Sequence, residues 1–93
     1  MMKDVKTEAK ELEGWSLEGE KIRKSFSFDT YFEGISFVSK LAVYAEGVQH
    51  HPHVTIDHTN VTVQWTTVDQ GALTAKDIAA AKASDNLLNS GHI

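Results

Sequence analysis

Glu46-Gly47-Val48-Gln49-His50-His51-Pro52 is the stretch on which the fold turns. It closes a long amphipathic segment and opens a pair of β-patterned ones. Pro52, the single proline in 93 residues, biases His51 toward extended backbone, so a helix that reaches this point has to stop. Upstream, residues 30–46 repeat apolar side chains at helical spacing, with Asp29 as the expected N-cap and Gly47 as the expected stop. Downstream, residues 54–56 and 61–68 alternate with period two on either side of Asp57-His58-Thr59-Asn60, the pattern of an antiparallel hairpin. In the longer strand Val61, Val63, Trp65 and Thr67 share one face, and Thr62, Gln64, Thr66 and Val68 share the other. The junction thus lies between a helix and a hairpin, where two adjacent imidazoles can point into a cleft.

Toward the N-terminus, residues 5–13 predict a short helix. Asp4 caps it, Val5, Ala9 and Leu12 form its stripe, and Gly14 ends it. Residues 15–17 and 21–28 read as two strands joined through Glu18-Gly19-Glu20. In the second, Ile22, Phe26 and Phe28 oppose Arg23, Ser25 and Ser27. Lys24 interrupts the apolar face, which a snorkelling stem can absorb. Toward the C-terminus, Asp69-Gln70-Gly71-Ala72 leads into a third helix. There Thr74 caps, Asp77 stands at N3 as in a capping box, and Leu73 with Ile78 forms a hydrophobic staple. Ile78, Ala81 and Leu88 are placed on one side of that helix, and residues 89–93 read as a frayed tail. The order α-β-β-α-β-β-α predicts an α+β fold, one domain over residues 1–93, with an antiparallel sheet covered on one face by helices.

The middle helix carries a wide apolar arc: Ile35, Phe37, Val38, Leu41, Ala42, Tyr44 and Ala45. A helix covering one sheet needs a stripe of only about 100°. Either the helix is a wide core element, or Phe37, Leu41 and Tyr44 meet a second subunit. A net charge of −4 leaves nothing to neutralise a row of phosphates and argues against direct nucleic-acid binding. The absence of cysteine removes disulfides and thiolate chemistry, in keeping with a reducing compartment. No apolar run suggests a signal peptide or a membrane span of roughly 20 residues, so the expected location is the cytoplasm.

Imidazole is the side chain that titrates near neutrality without help, which makes a positioned His50–His51 pair a candidate for proton transfer. A metal reading of His50, His51, His53 and His58 is weak. The adjacent pair tends to diverge, Pro52 stiffens the turn and no cysteine joins them. His53 and His58 read as solvent-facing hairpin residues, Trp15 and Trp65 as core aromatics, and Asp77 as a helix-start residue rather than a catalytic acid.

Several motifs together resemble the pterin-4a-carbinolamine dehydratase family. They are Gly14-Trp15 with Leu17-Glu18-Gly19 and Ile22, Phe26-x-Phe28, Ala45-Glu46, and His50-His51-Pro52. Asn60-x-x-Val63, Thr66-Thr67 and Gly71-x-Leu73-Thr74-x-x-Asp77 complete them. The resemblance spans nearly the whole chain. It implies a four-stranded antiparallel sheet with three helices on one side, a homodimer or homotetramer, and no metal or organic cofactor. The implied reaction is dehydration of a 4a-hydroxytetrahydropterin to the quinonoid dihydropterin in tetrahydropterin recycling. One group protonates the departing hydroxyl and another takes the proton from N5. By the resemblance His50 and His51 form the catalytic pair, His50 as acid–base group and His51 mainly binding and orienting the pterin. Glu46 holds an imidazole tautomer or a substrate hydrogen bond, and the Thr66-Thr67 backbone bonds the pterin edge.

The sequence also departs from the family pattern. Val68 stands where a third catalytic histidine usually follows the residues matching Thr66-Thr67. Gln49 replaces Asp or Asn, Val54 an aromatic, and Ala72 a glycine. Losing one of two acid–base groups typically costs about 10²- to 10⁴-fold in rate. Val68 therefore keeps a second function class open: a catalytically weakened binding protein, acting as a dimerisation cofactor or an assembly chaperone, for example of Rubisco, as some family members do.

Overall fold

The structure, a computed structural model, describes residues 4–89. The tail expected after Asn89 lies outside the described residues. Along the chain the elements are α1 (Val5–Glu11), β1 (Ser16–Glu18), β2 (Lys21–Ser27), α2 (Tyr31–Val48), β3 (His53–Asp57), β4 (Asn60–Trp65), a 3₁₀ turn (Val68–Gln70) and α3 (Ala75–Asn89). The four strands form one antiparallel sheet in the order β1-β2-β4-β3. The expected α+β order is the observed one.

The two faces of the sheet follow from the alternation of the strands. Opposed pairs Ile22–Trp65, Lys24–Val63 and Phe26–Val61 lie on the inner face. Around them pack Phe37, Leu41 and Ala45 of α2, Ile78, Ala80 and Ala81 of α3, and Ala9 of α1, all buried. The other face is polar, and its cross-strand pairs satisfy one another, as in Ser25–Thr62 and Ser27–Asn60. Three helices therefore cover one face and leave the other to solvent. Gly34 eases the close approach of α2 to β4, because a Cβ there would lie a tight 3.2 Å from Val61 Cγ2. Lys24 does not break the inner face. Its ammonium reaches out to Asp85 at 2.8 Å and sits 5.1 Å from the Phe26 ring centroid.

Several boundaries differ from expectation for local reasons. Helix α1 ends at Glu11, with Leu12 in extended conformation as its C-cap. The N-cap of α2 is Thr30 rather than Asp29. Its hydroxyl accepts the Glu33 N–H, and the Glu33 carboxylate accepts the N–H of Asp29, the residue before the cap. Gly47 stays helical, and Gln49 takes the left-handed stop at φ 53°. Its side-chain amide donates to the Glu46 carbonyl, satisfying one of the acceptors a helix end leaves open. Strand β4 ends at Trp65, so Val68 belongs to the 3₁₀ turn, where it is 81% exposed. In α3 it is Leu87 rather than Leu88 that packs on the core.

The wide arc of α2 also resolves. Phe37 and Leu41 are buried within this single chain, and Tyr44 meets the Trp65 ring edge-on at 6.2 Å. The large apolar side chains that α2 leaves exposed are Tyr31, Phe32, Val43 and Val48. Among the described residues no helix is long and apolar enough to cross a membrane.

Candidate active site

Helix α2 delivers both histidines, but the left-handed turn at Gln49 sends them apart. The His50 N–H bonds back to the Ala45 carbonyl, which swings its side chain toward the inner face of β4 and the start of α3. The imidazole stacks on Trp65, centroids 5.2 Å apart and planes 26° apart. Its Nε2 lies 2.6 Å from Asp77 Oδ1, and the side chain is only 11% exposed. His51 instead turns back along α2 and pairs with Glu46 at 2.5 Å, with both side chains more than half exposed.

Asp77 is fully buried and fully satisfied. Its Oδ2 accepts the Thr67 hydroxyl at 2.8 Å and the Thr74 N–H at 2.9 Å, leaving Oδ1 to His50. Because the Thr67 proton goes to Asp77, the 2.6 Å contact between the two threonine hydroxyls has Thr74 donating. An acceptor carboxylate fixes the ring: Nε2 carries the proton and donates it to Asp77. No described side chain bonds Nδ1 of His50, and no buried polar side-chain atom among the described residues lacks a partner. Nδ1 therefore has no bonded partner and is not sealed from solvent. One nitrogen is held and the other is free to accept or return a proton.

The capping box at α3 was legible, but the partner of Asp77's second oxygen was not. A carboxylate at N3 uses one oxygen on the helix start; the other is free to reach sideways. Gly71, at φ 61°, lets the chain turn under β4 so that this oxygen meets His50. Trp65 is a core aromatic as expected, and it is also the platform under the imidazole.

Thr67 joins this network through its hydroxyl. Its backbone is engaged within the turn, with N–H to the Ala72 carbonyl and C=O to the Gln70 and Ala72 N–H groups. Thr66 faces the other way, its hydroxyl on the Glu20 carbonyl. His51 and Glu46 lie outside the network. With Val38, Leu41, Ala42, Ala45, Pro52 and Val54 they line an open cleft of about 200 Å³ between α2 and β3. That is smaller than the roughly 300–1,000 Å³ of sites enclosing a drug-sized ligand. His53 pairs with Gln64 on the open face of the sheet, and His58 occupies the β3–β4 turn; both are exposed. Among the described residues no group of three or more His, Cys, Asp or Glu could hold a metal ion.

A buried carboxylate–imidazole pair with one ring nitrogen left unbonded thus lies on the inner face of the sheet. The pterin 4 alpha carbinolamine dehydratase family model matches residues 2–87, and the chain belongs to that family. A Sulfurisphaera tokodaii protein named "Putative pterin-4-alpha-carbinolamine dehydratase" is 40% identical over 86 residues, 92% of each chain. A Trichormus variabilis protein of the same name is 41% identical over 78 residues, 84% of each. The crystal structure of a transcriptional coactivator/pterin dehydratase from Brucella melitensis superposes with a TM-score of 0.82 at 27% identity, covering 88% of this chain and 89% of that one. A pterin dehydratase-like RuBisCO assembly factor of the alpha-carboxysome shares the fold at a TM-score of 0.64 and 23% identity, covering 78% and 84%.

Proposed function

We propose that this protein dehydrates a 4a-hydroxytetrahydropterin to the quinonoid dihydropterin, with His50 as its acid–base group. The observation that carries the reading is the Asp77–His50 bond. It commits Nε2 and leaves Nδ1 as the working nitrogen. In the reaction the C4a–O bond breaks as the hydroxyl leaves with an added proton, and the N5–H bond gives up its proton. An imidazole with one free nitrogen can take the N5 proton and, once protonated, deliver a proton to the departing hydroxyl of the same substrate, so that the ring ends each turnover as it began. Atoms balance as substrate to product plus water.

His51 and Glu46 act in binding. Their exposed pair at the mouth of the α2–β3 cleft offers a donor and an acceptor to the polar edge of a pterin, and the apolar floor receives its ring. Thr66 supplies backbone contacts to the pterin edge on this reading, because the Thr67 backbone is already used inside the turn. The protein works in the cytoplasm as a homo-oligomer, without metal or organic cofactor.

The test is a spectrophotometric assay with freshly generated 4a-hydroxytetrahydropterin. His50→Ala should remove most of the enhancement, while His51→Ala should mainly raise KM. Equal, small effects from both would show that the pair is not the catalytic centre. A second reading rests on Val68, which cannot carry a proton where the family usually has a histidine. On that reading the chain is a binding protein acting as a dimerisation cofactor or assembly chaperone, and the wild-type protein would give no rate above the spontaneous one.

A further inference from the structure

Glu20 lies in the β1–β2 turn, far from the histidines in sequence, yet it holds both ends of the loop that builds the site. Its backbone carbonyl accepts the Thr66 hydroxyl at 2.6 Å. Its carboxylate Oε1 accepts the Leu73 N–H at 3.1 Å, and Oε2 pairs with Lys6 of α1 at 2.6 Å. Thr66 immediately precedes Thr67, and Leu73 immediately precedes Thr74. Those two threonines are the ones that satisfy Asp77. Between them the 3₁₀ turn is closed by the Thr67–Ala72 bridge, its own internal bonds, the Thr67–Thr74 hydroxyl contact and the shared Asp77 oxygen, none of which ties it to the rest of the sheet.

We propose that Glu20 is a positioning residue for His50: it clamps Thr66 and Leu73, thereby setting the Thr67 and Thr74 groups that aim the Asp77 carboxylate at the imidazole. This rests on the reading of His50 as the acid–base group. Nothing else described joins the β1–β2 turn to this loop by hydrogen bonds. The Glu20 side chain is 45% exposed, and exposed ties contribute little to global stability. Its effect is therefore local geometry rather than folding. The Lys6 ammonium first, and the Leu73 N–H second, hold the Glu20 carboxyl below its ordinary value, so the clamp is a carboxylate at neutral pH.

The test compares Glu20→Ala with Glu20→Gln. The amide oxygen of Gln still accepts from Leu73, so this variant should keep the wild-type His50 ring resonances in long-range ¹H–¹⁵N spectra of the substrate-free protein. Glu20→Ala should shift those resonances and speed Leu73 amide exchange about tenfold, through local opening. It should also lower kcat roughly tenfold with little change in KM, within the ~10²-fold that a misplacement of about 1 Å can cost. A folded Glu20→Ala protein with wild-type His50 resonances and kcat would overturn the proposal, whatever its Tm. Equal damage from Gln and Ala would overturn the acceptor role. Should Glu20→Ala fail to fold, Thr66→Val removes the other tie and must shift the same resonances, or the proposal falls. If the wild-type protein shows no dehydration, the functional reading fails while the ring resonances still decide the clamp.

Discussion

Replacing Asp77 by Asn separates catalysis from packing. The two side chains have nearly the same shape, so the buried position stays filled. If the Asn oxygen takes the place of Oδ2, it still accepts the Thr67 hydroxyl and the Thr74 N–H. The NH₂ then faces His50, where a donor used to meet an acceptor. The ring must present a bare Nε2 to accept from it, which puts the proton on Nδ1, the open nitrogen. Nδ1 then cannot act as a base in the neutral ring. The stability cost is one hydrogen bond to a charged group, about 1.5–3 kcal/mol, against a total of roughly 5–15 kcal/mol for a domain of this kind. The variant should therefore fold. Asp77→Ala would lose all three contacts and leave buried donors unpaired, and it is the worse probe. The expected fall in kcat is about 10²- to 10⁴-fold, the range for acid–base groups. Two measurements check it: the ¹⁵N shifts of the His50 ring, which report the tautomer, and dehydration rate under saturating substrate. A folded Asp77→Asn protein with the switched tautomer and a rate within about threefold of wild type would refute the reasoning.

Val68→His places an imidazole on an exposed turn residue that costs no packing. It should raise dehydration at least about tenfold and add an ionisation near pH 6.5 to the rate profile; a folded variant with no gain would mean the site has diverged by more than one residue. His53→Ala should leave the wild-type rate unchanged, since His53 lies on the open face of the sheet; loss of activity would show that it substitutes for the missing histidine. Phe32 and Val43, 78% and 75% exposed and three turns apart on one face of α2, are the residues to charge in a test of association. Light scattering should give a multiple of 10.3 kDa for wild type and a lower mass for the Phe32→Lys, Val43→Lys protein; a wild-type monomer at micromolar concentration would end the oligomer reading. The Thr7 N–H holds the Asp4 carboxyl below its ordinary value. The stabilisation is whole above the unfolded carboxylate range and is lost as pH falls through the depressed value. Urea midpoints measured from about pH 7 to 3 should show a small loss from this cap, which Asp4→Asn should remove.

Element order, the inner face of β2 and β4, the α3 capping box and the position of the histidines at the end of α2 could all be read from residue types and their spacing. These depend on interactions a few residues long: alternation on a strand, a cap three residues from its partner, a proline acting on its neighbour. The direction of each histidine could not be read that way. It depends on Gln49 rather than Gly47 taking the left-handed turn, which follows from where α2 meets the sheet. Phe37 and Leu41 looked surplus along the helix axis because periodicity shows how wide a face is, not what covers it; β2, β4 and α3 supply that cover. The Asp77–His50 pair spans 27 residues, and the Glu20 ties to Thr66 and Leu73 span 46 and 53. Local pattern carries no information on such distances. They are set when an antiparallel sheet brings β2 beside β4 and the loop after β4 folds α3 back beneath it, and only then does a helix-cap carboxylate become the group that holds the imidazole.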